Sequence, residues 1–274
     1  MELALSVTNW LLPLLYLALL VQYSMIFYSR TRRSGGNPWA ALVMGLHAFF
    51  LIGLGLWLGY PPLRGLHNTL SLVALITAVV YWGVELLSGE QRTGVFVFAF
   101  VFLFQYSASM AAPGVAEEAA TAAGAGSRWL RLHIVPALMA YAGFTLAAVY
   151  GGLHLMVRKN LKRRYFGILY DRVPSLELLG QMTWYALVLG FACLTLALFT
   201  GTIVVTFFRA SIGGAGVGAG MTAKIVVSGV AWLLYLAAVV GRVARAWSGA
   251  RVSRFATRGF GMLLVLLGVT AVVA

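Results

Sequence analysis

Four histidines are the residues of this chain best suited to chemistry, and all four lie in apolar surroundings. They are His47, His67, His133 and His154. An imidazole in an apolar stretch needs a metal, a proton to carry or a hydrogen-bond partner, because an unpartnered polar group in lipid is costly. His133 and His154 share the run 131–159, but on one helix they would lie about 31 Å apart. They therefore cannot share one ligand.

The composition of the chain identifies the environment of these histidines. Apolar residues make up 61% of the 274 residues, charged residues make up 10%, and the mean hydropathy is +0.91. This is too little polar surface for a soluble domain, so we predict a polytopic membrane protein. The net charge of +13 falls in short loops between apolar runs and predicts no nucleic-acid site. Cys193 is the single cysteine, which excludes a disulfide framework and a thiolate metal site.

The apolar runs predict an all-α fold, a single transmembrane domain over residues 1–274 with about eight membrane-spanning helices. Strand signals, tandem repeats and a separate soluble domain are not predicted. Glu85, near the end of the third span, is interpreted as a terminal carboxylate that reaches toward water, with a proton-handling group as the alternative. The eight predicted spans cover residues 6–28, 39–60, 66–87, 95–111, 129–157, 182–208, 223–241 and 255–273.

The basic residues predict how the spans are oriented. The loops after spans one, three, five and seven hold fifteen lysines and arginines, whereas the other loops hold five. Positive residues concentrate in cytoplasmic loops, so both termini are predicted on the outer side. His67 and His133, the outer histidines, then open their spans near the outer face. His47 and His154, the inner histidines, belong to the cytoplasmic half of the membrane.

Two pairs of histidines at matching depth favour haem as the ligand. Haem iron leaves two axial positions for side chains, whereas zinc takes three or four protein ligands. Arg64, Arg128 and Arg131 precede the outer histidines, and Arg158 follows the inner one on span five, so they are candidates to bind haem propionates. Two alternatives remain open: the histidines bond neighbouring helices, and the arginines bind lipid phosphate.

Three longer stretches carry a resemblance to a known family. Residues 131–154, the loop RVPSLELLGQM and the run MTAKIVVSGVAWLLYLAAVVGRVARAWSG, together with the histidine distribution, resemble the cytochrome c assembly family. This family contains the haem-handling CcsA/ResC type and the shorter HemX and YpjD proteins. The resemblance implies a haem-binding protein of the bacterial cytoplasmic membrane, with His47, His67, His133 and His154 as ligand candidates.

One departure from the family pattern narrows this expectation. CcsA-type proteins carry a tryptophan-rich WWD segment on the outer face, whereas the corresponding stretch here reads RASIGGAGVGAGMTAK, without tryptophan. The chain therefore resembles the HemX/YpjD-type branch more than the CcsA type. Haem lyase activity is not implied.

We therefore predict a non-enzymatic protein that binds haem b and holds or relays it across the membrane through two bis-histidine sites. Two alternatives use the same residues. The first is a transmembrane electron-transfer cytochrome. The second is a membrane regulator or chaperone of haem synthesis, for which the basic loop RKNLKRRYFGILYDR would be the partner surface. The predicted partners are haem and the lipid bilayer, with a cytochrome assembly or haem-synthesis protein as a further candidate.

Overall fold

The computed structural model describes residues 2–29, 35–59, 61–63, 66–112, 128–207 and 219–273. These residues form helices joined by short connections, and no strand occurs among them, so the predicted all-α fold is confirmed. The helices are α1 (Glu2–Tyr28), α2 (Pro38–Leu58), α3 (Leu66–Ser88), α4 (Gly94–Ala111), α5 (Arg128–Lys162), α6 (Ile168–Arg172), α7 (Leu176–Phe207), α8 (Ala219–Ala244) and α9 (Gly249–Val273).

Each predicted span coincides with one long helix, and the main differences are extensions into polar sequence. Helix α7 begins at Leu176, six residues before the predicted start. Ser175 precedes it, and its hydroxyl accepts the Leu178 amide at 3.3 Å, which satisfies an otherwise free donor of the first turn. Helix α5 continues to Lys162. The basic residues in its last turn interact favourably with the negative end of the helix dipole. Apolar sequence sets the membrane span, and polar caps lengthen the helix beyond it.

Seven of these helices are long and apolar enough to cross a membrane. They are α1 to α5, α7 and α8. Helix α9 contains the predicted eighth span, but its side chains are described only as far as Leu264. Arg251 and Arg254 were assigned to a loop by the sequence pattern, and that assignment is wrong because α9 already begins at Gly249.

The chain divides by its internal contacts into two compact units, Met1–Ala125 and Gly126–Ala274. In the first unit, α4 packs against α1 and α3, and α2 packs against α1 and α3. In the second, α5 packs along α7, and α9 packs against α5, α7 and α8. The single transmembrane domain over residues 1–274 stays a prediction, and the units are described separately.

Close packing of α5 on α7 depends on two glycines in the second unit. A Cβ atom at Gly143 would lie 2.8 Å from the Cα atom of Gly190, closer than any side chain tolerates. Small residues bring helix backbones together in membranes, where packing rather than the hydrophobic effect drives association. Directly beside this contact, the Phe144 ring stacks on Tyr235 of α8 with centroids 3.7 Å apart. The second unit is therefore tightly held around α5, which carries both of its histidines.

Candidate functional site

His133 lies near the end of α5 that is predicted to face the outer side, and its ring bonds a backbone carbonyl of α7. Its Nδ1 atom lies 2.7 Å from the carbonyl oxygen of Ala197, and the side chain is half-buried. A carbonyl oxygen can only accept, so Nδ1 must carry the proton and donate. The lone pair of the neutral ring is then on Nε2. Gly201 makes this approach feasible, because a Cβ there would lie 2.9 Å from Cε1 of the ring.

His154 lies near the other end of α5, which is predicted to face the cytoplasm, and its ring bonds a side chain of α9. The ring is 5% exposed, and its Nδ1 atom lies 2.8 Å from the hydroxyl of Ser253 on α9. Nε2 has no hydrogen-bond partner among the described residues. Glycines flank that side of the ring, since a Cβ at Gly249 would lie 3.5 Å from Cε1 and one at Gly180 would lie 3.9 Å from Nε2. Gly180 and Gly249 thus contribute no side chain to the edge that bears Nε2.

Both histidines of the second unit bond through Nδ1, but only the carbonyl partner of His133 fixes the proton on Nδ1, because the Ser253 hydroxyl can donate to or accept from Nδ1 of His154. Metal-binding histidines typically donate the N–H of the second ring nitrogen to a carboxylate, a backbone carbonyl or water, which is the arrangement of His133. The two residues are 21 positions apart on one helix, a separation of about 31 Å. They therefore cannot bind the same metal ion.

His47 differs from these two because both of its ring nitrogens are occupied. The side chain is 0% exposed, with Nδ1 at 2.9 Å from the Tyr16 hydroxyl and Nε2 at 2.9 Å from the Ser71 hydroxyl. The Ser71 hydroxyl donates to the Oε1 atom of Gln105 at 3.0 Å, so it accepts from Nε2–H of His47. Nδ1 must then accept the Tyr16 proton. An iron ligand role for His47 stays a prediction, and it requires that the metal replace one of these bonds.

Further hydrogen bonds extend this series beyond Gln105 and connect the four helices of the first unit. Gln105 donates from Nε2 to the Ser109 hydroxyl at 3.2 Å, and Ser109 donates to the carbonyl of Asn9 at 2.8 Å. Every donor in the series from Tyr16 to Asn9 points the same way, from α1 through α2, α3 and α4 back to α1. We call this series the His47 chain. The His47 chain was not predicted from the sequence, although polar residues inside otherwise apolar spans indicated that such bonds exist.

The remaining predicted residues are located as follows. His67 is half-buried in the first turn of α3 and interacts with at least one neighbouring group. Arg158 is half-buried one turn beyond His154, on the same face of α5. Arg64 lies outside the described residues, and Arg128 and Arg131 belong to α5 but their side chains are not described.

The predicted pairing of histidines combines the two units. His47 and His67 belong to the first unit, whereas His133 and His154 belong to the second. Each predicted bis-histidine pair thus takes one residue from each unit, and both pairings stay predictions. Among the described residues, no three histidine, cysteine or acidic side chains are grouped closely enough to hold a metal ion.

Glu85 has a different setting from the one that the sequence suggested. Its carboxylate is 0% exposed, so the interpretation as a side chain that reaches toward water is wrong. The Tyr23 hydroxyl donates to Oε2 at 2.6 Å, and the Asn37 amide donates to Oε1 at 2.7 Å. A carboxylate with two such donors joins α1, α3 and the connection before α2. Burial of this group therefore depends on residues far away in the chain.

Comparison with known proteins identifies the family of this chain. A curated relative, Protein HemX of Brevibacillus brevis, is 27% identical over 197 residues, which is 69% of this chain and 70% of the relative. No solved structure matches the chain. The family model described as Cytochrome C assembly protein matches residues 7–273. Because that match covers nearly the whole sequence, the chain belongs to the cytochrome c assembly protein family.

Proposed function

We propose that this protein binds haem b in the membrane and holds or relays it through histidine ligands at two depths. One observation supports the proposal most: His133 donates from Nδ1 to the Ala197 carbonyl, which places its lone pair on Nε2, and Nε2 of His154 has no hydrogen-bond partner among the described residues. Family membership supports a role connected with haem handling or cytochrome c biogenesis. In this proposal His67 is the partner of His133, and His47 is the partner of His154.

Haem at His154 would need the neighbouring helices to move apart, because the ring is only 5% exposed. Bound haem would supply an iron that takes histidine ligands and two carboxylates. Gly180 and Gly249 contribute no side chain beside Nε2 and Cε1 of His154, and Ser253 bonds Nδ1 of the ring. Arg158, one turn further along α5, offers a positive charge to a carboxylate. These residues bind and orient, and we propose that the protein makes or breaks no covalent bond in its cargo.

His47 enters this proposal as the second ligand of the inner site. Its ligation would exchange the Ser71 or the Tyr16 hydrogen bond for a bond to iron. We therefore propose that His154 is the first inner ligand and that His47 joins after it. The orientation with both termini outside, in a bacterial cytoplasmic membrane, belongs to the same proposal and rests on the distribution of basic residues.

A second candidate function is supported by the connection between α5 and α7. This basic segment contains α6 and exposes Tyr165, Phe166 and Ile168, whose side chains are 63%, 62% and 59% accessible. Large apolar side chains beside lysines and arginines are typical of surfaces that bind a protein partner or the membrane interface. A regulator or chaperone of a haem-synthesis or cytochrome assembly protein would use this surface.

The pairing of the outer histidines is tested by comparing single and double substitutions. We expect His67→Ala and His133→Ala each to empty the outer site, which removes about half of the bound haem when two sites are loaded. The double variant should lose no more, because two ligands of one iron act as a unit. The measurement is the haem-to-protein ratio of the purified protein. Thr202→Ala, which removes a hydroxyl bonded to its own helix, is the control. Additive losses would show that the two residues do not share an iron.

A further inference from the structure

A cleft of about 420 Å³ lies between α8 and α9 in the second unit. Three arginines and three apolar side chains form its walls, so the cleft has a charged part and an apolar part. Neither the predicted haem sites nor the family comparison assigns it a role. The residues that line it are Leu234, Arg251, Arg254, Phe255, Arg258, Gly259 and Met262.

The cleft and the His154 site are on different faces of α9. Arg251, Arg254 and Arg258 are three and four positions apart, which places them on one face of the helix. Ser253, which bonds His154, is fully buried on another face, whereas the three arginines are exposed. A ligand in the cleft would therefore not contact His154.

The cleft concentrates positive charge that no described carboxylate neutralises. Within the described part of the chain, Arg254 bonds only a carbonyl of its own helix and Arg251 contacts the Trp247 ring, and neither they nor Arg258 form an ion pair. The first turn of α9 has no acidic residue, although the positive end of the helix dipole favours one there. Like charges three and four residues apart also repel each other. A bound anion would relieve both unfavourable arrangements.

A tryptophan beside the cleft indicates its depth in the membrane. The Trp247 ring packs on Phe255 with centroids 5.0 Å apart, and the guanidinium of Arg251 lies 5.5 Å from the centre of the same ring. Arg242 also donates to the Trp247 carbonyl at 2.6 Å, which holds the turn between α8 and α9. Tryptophan is enriched where lipid headgroups meet the hydrocarbon, so we infer that the arginines lie near the level of lipid phosphates.

We propose that this cleft binds an anionic membrane phospholipid. The headgroup phosphate contacts Arg254 and Arg258, and an acyl chain lies along Leu234, Phe255 and Met262. Guanidinium groups suit phosphate because they bind two oxygens at once, and the apolar wall suits a hydrocarbon chain. The occupant is thus a lipid with a net negative headgroup, and the site is independent of haem.

The size of the expected effect follows from the charge of each arginine. A basic residue near an anionic membrane surface contributes to lipid binding by a factor of about five in affinity. Arg254→Gln together with Arg258→Gln should therefore weaken binding by about twenty-five-fold. Arg254→Lys with Arg258→Lys keeps the charges but loses the paired hydrogen bonds, so we expect an intermediate affinity.

The experiment titrates the full-length, delipidated protein in neutral detergent with fluorescent phosphatidylglycerol. We expect saturable binding that the Arg254→Gln/Arg258→Gln variant weakens and the Arg92→Gln/Arg245→Gln variant leaves unchanged. That control removes two positive charges at residues that neither line the cleft nor belong to the segment between α5 and α7. Helix content and unfolding temperature are measured for each variant. If the double variant does not fold, Arg258→Gln alone replaces it, with an expected fivefold loss.

Four results would overturn the proposal. The first is equal binding by the wild-type protein and a folded cleft variant. The second is equal affinity for phosphatidylcholine, which would indicate an ordinary lipid contact. The third is equally tight binding of glycerol 3-phosphate, which would make the cleft a site for soluble phosphates. The fourth is displacement of the lipid by one equivalent of haem, which would assign the cleft to haem.

Discussion

Replacing His154 with alanine is expected to remove most of the haem that the protein carries. The change deletes the proposed first ligand of the inner site, and in a relay it also deprives the outer site of its supply. Total haem should then fall below the half that loss of one independent site would leave. The measurement is the haem-to-protein ratio, followed by addition of free imidazole. Imidazole can occupy the vacated axial position, so it should partly restore both sites.

A change beside His154 tests whether the orientation of the ring matters. Ser253→Ala removes the group that bonds Nδ1 and should weaken haem affinity about tenfold or more, as loss of such orienting partners typically does. Thr257→Ala is a matched control on α9, because its hydroxyl bonds only carbonyls of its own helix.

Full occupancy of the outer site in the His154→Ala protein would contradict the relay. The protein would then have two independent sites.

His47→Leu is expected to destabilise the first unit by about 1–3 kcal/mol. The leucine would break the His47 chain and leave the Tyr16 hydroxyl without its acceptor and the Ser71 hydroxyl without its donor, in a place that water does not reach. The measurement is the unfolding midpoint of the purified protein in detergent. Thr8→Ala, which removes an exposed hydroxyl bonded to its own helix, should leave the midpoint unchanged.

A second substitution at this position separates the packing role from ligation. His47→Gln keeps one donor and one acceptor, so part of the stability should return, but an amide is a poor ligand for haem iron. If His47 is an inner ligand, His47→Gln should fold and yet bind less haem. Unchanged haem content in a stable His47→Gln protein would restrict His47 to the hydrogen-bond chain.

The helices of this protein could be predicted well from the sequence because the bilayer imposes a simple constraint. A spanning segment must satisfy its own backbone hydrogen bonds and needs about twenty apolar residues, so the length of an apolar run specifies the helix. The third span illustrates this, since residues 66–87 were predicted and α3 is Leu66–Ser88. Polar extensions such as the start of α7 carry no such signal, and their bounds were missed.

The partners of the buried polar groups could not be predicted in the same way. Hydropathy gives the depth of a residue but not the rotation of its helix, and rotation decides which side chains meet. Ser71 and Gln105 are 34 positions apart, and nothing in their local sequence connects them. The depth of each histidine stays a prediction, and the Nδ1 contacts of His133 and His154 required the packing of α5 against α7 and α9.

The central claim is that histidine nitrogens of this membrane bundle bind haem. The measurement that tests it most directly is the absorption spectrum of the purified, detergent-solubilised protein, taken before and after addition of haem. We predict the spectrum of low-spin haem with two histidine ligands. Its intensity should fall by about half in the His133→Ala variant and further in the His154→Ala variant. A protein that is folded and helical but shows no haem absorption after supplementation would contradict the account.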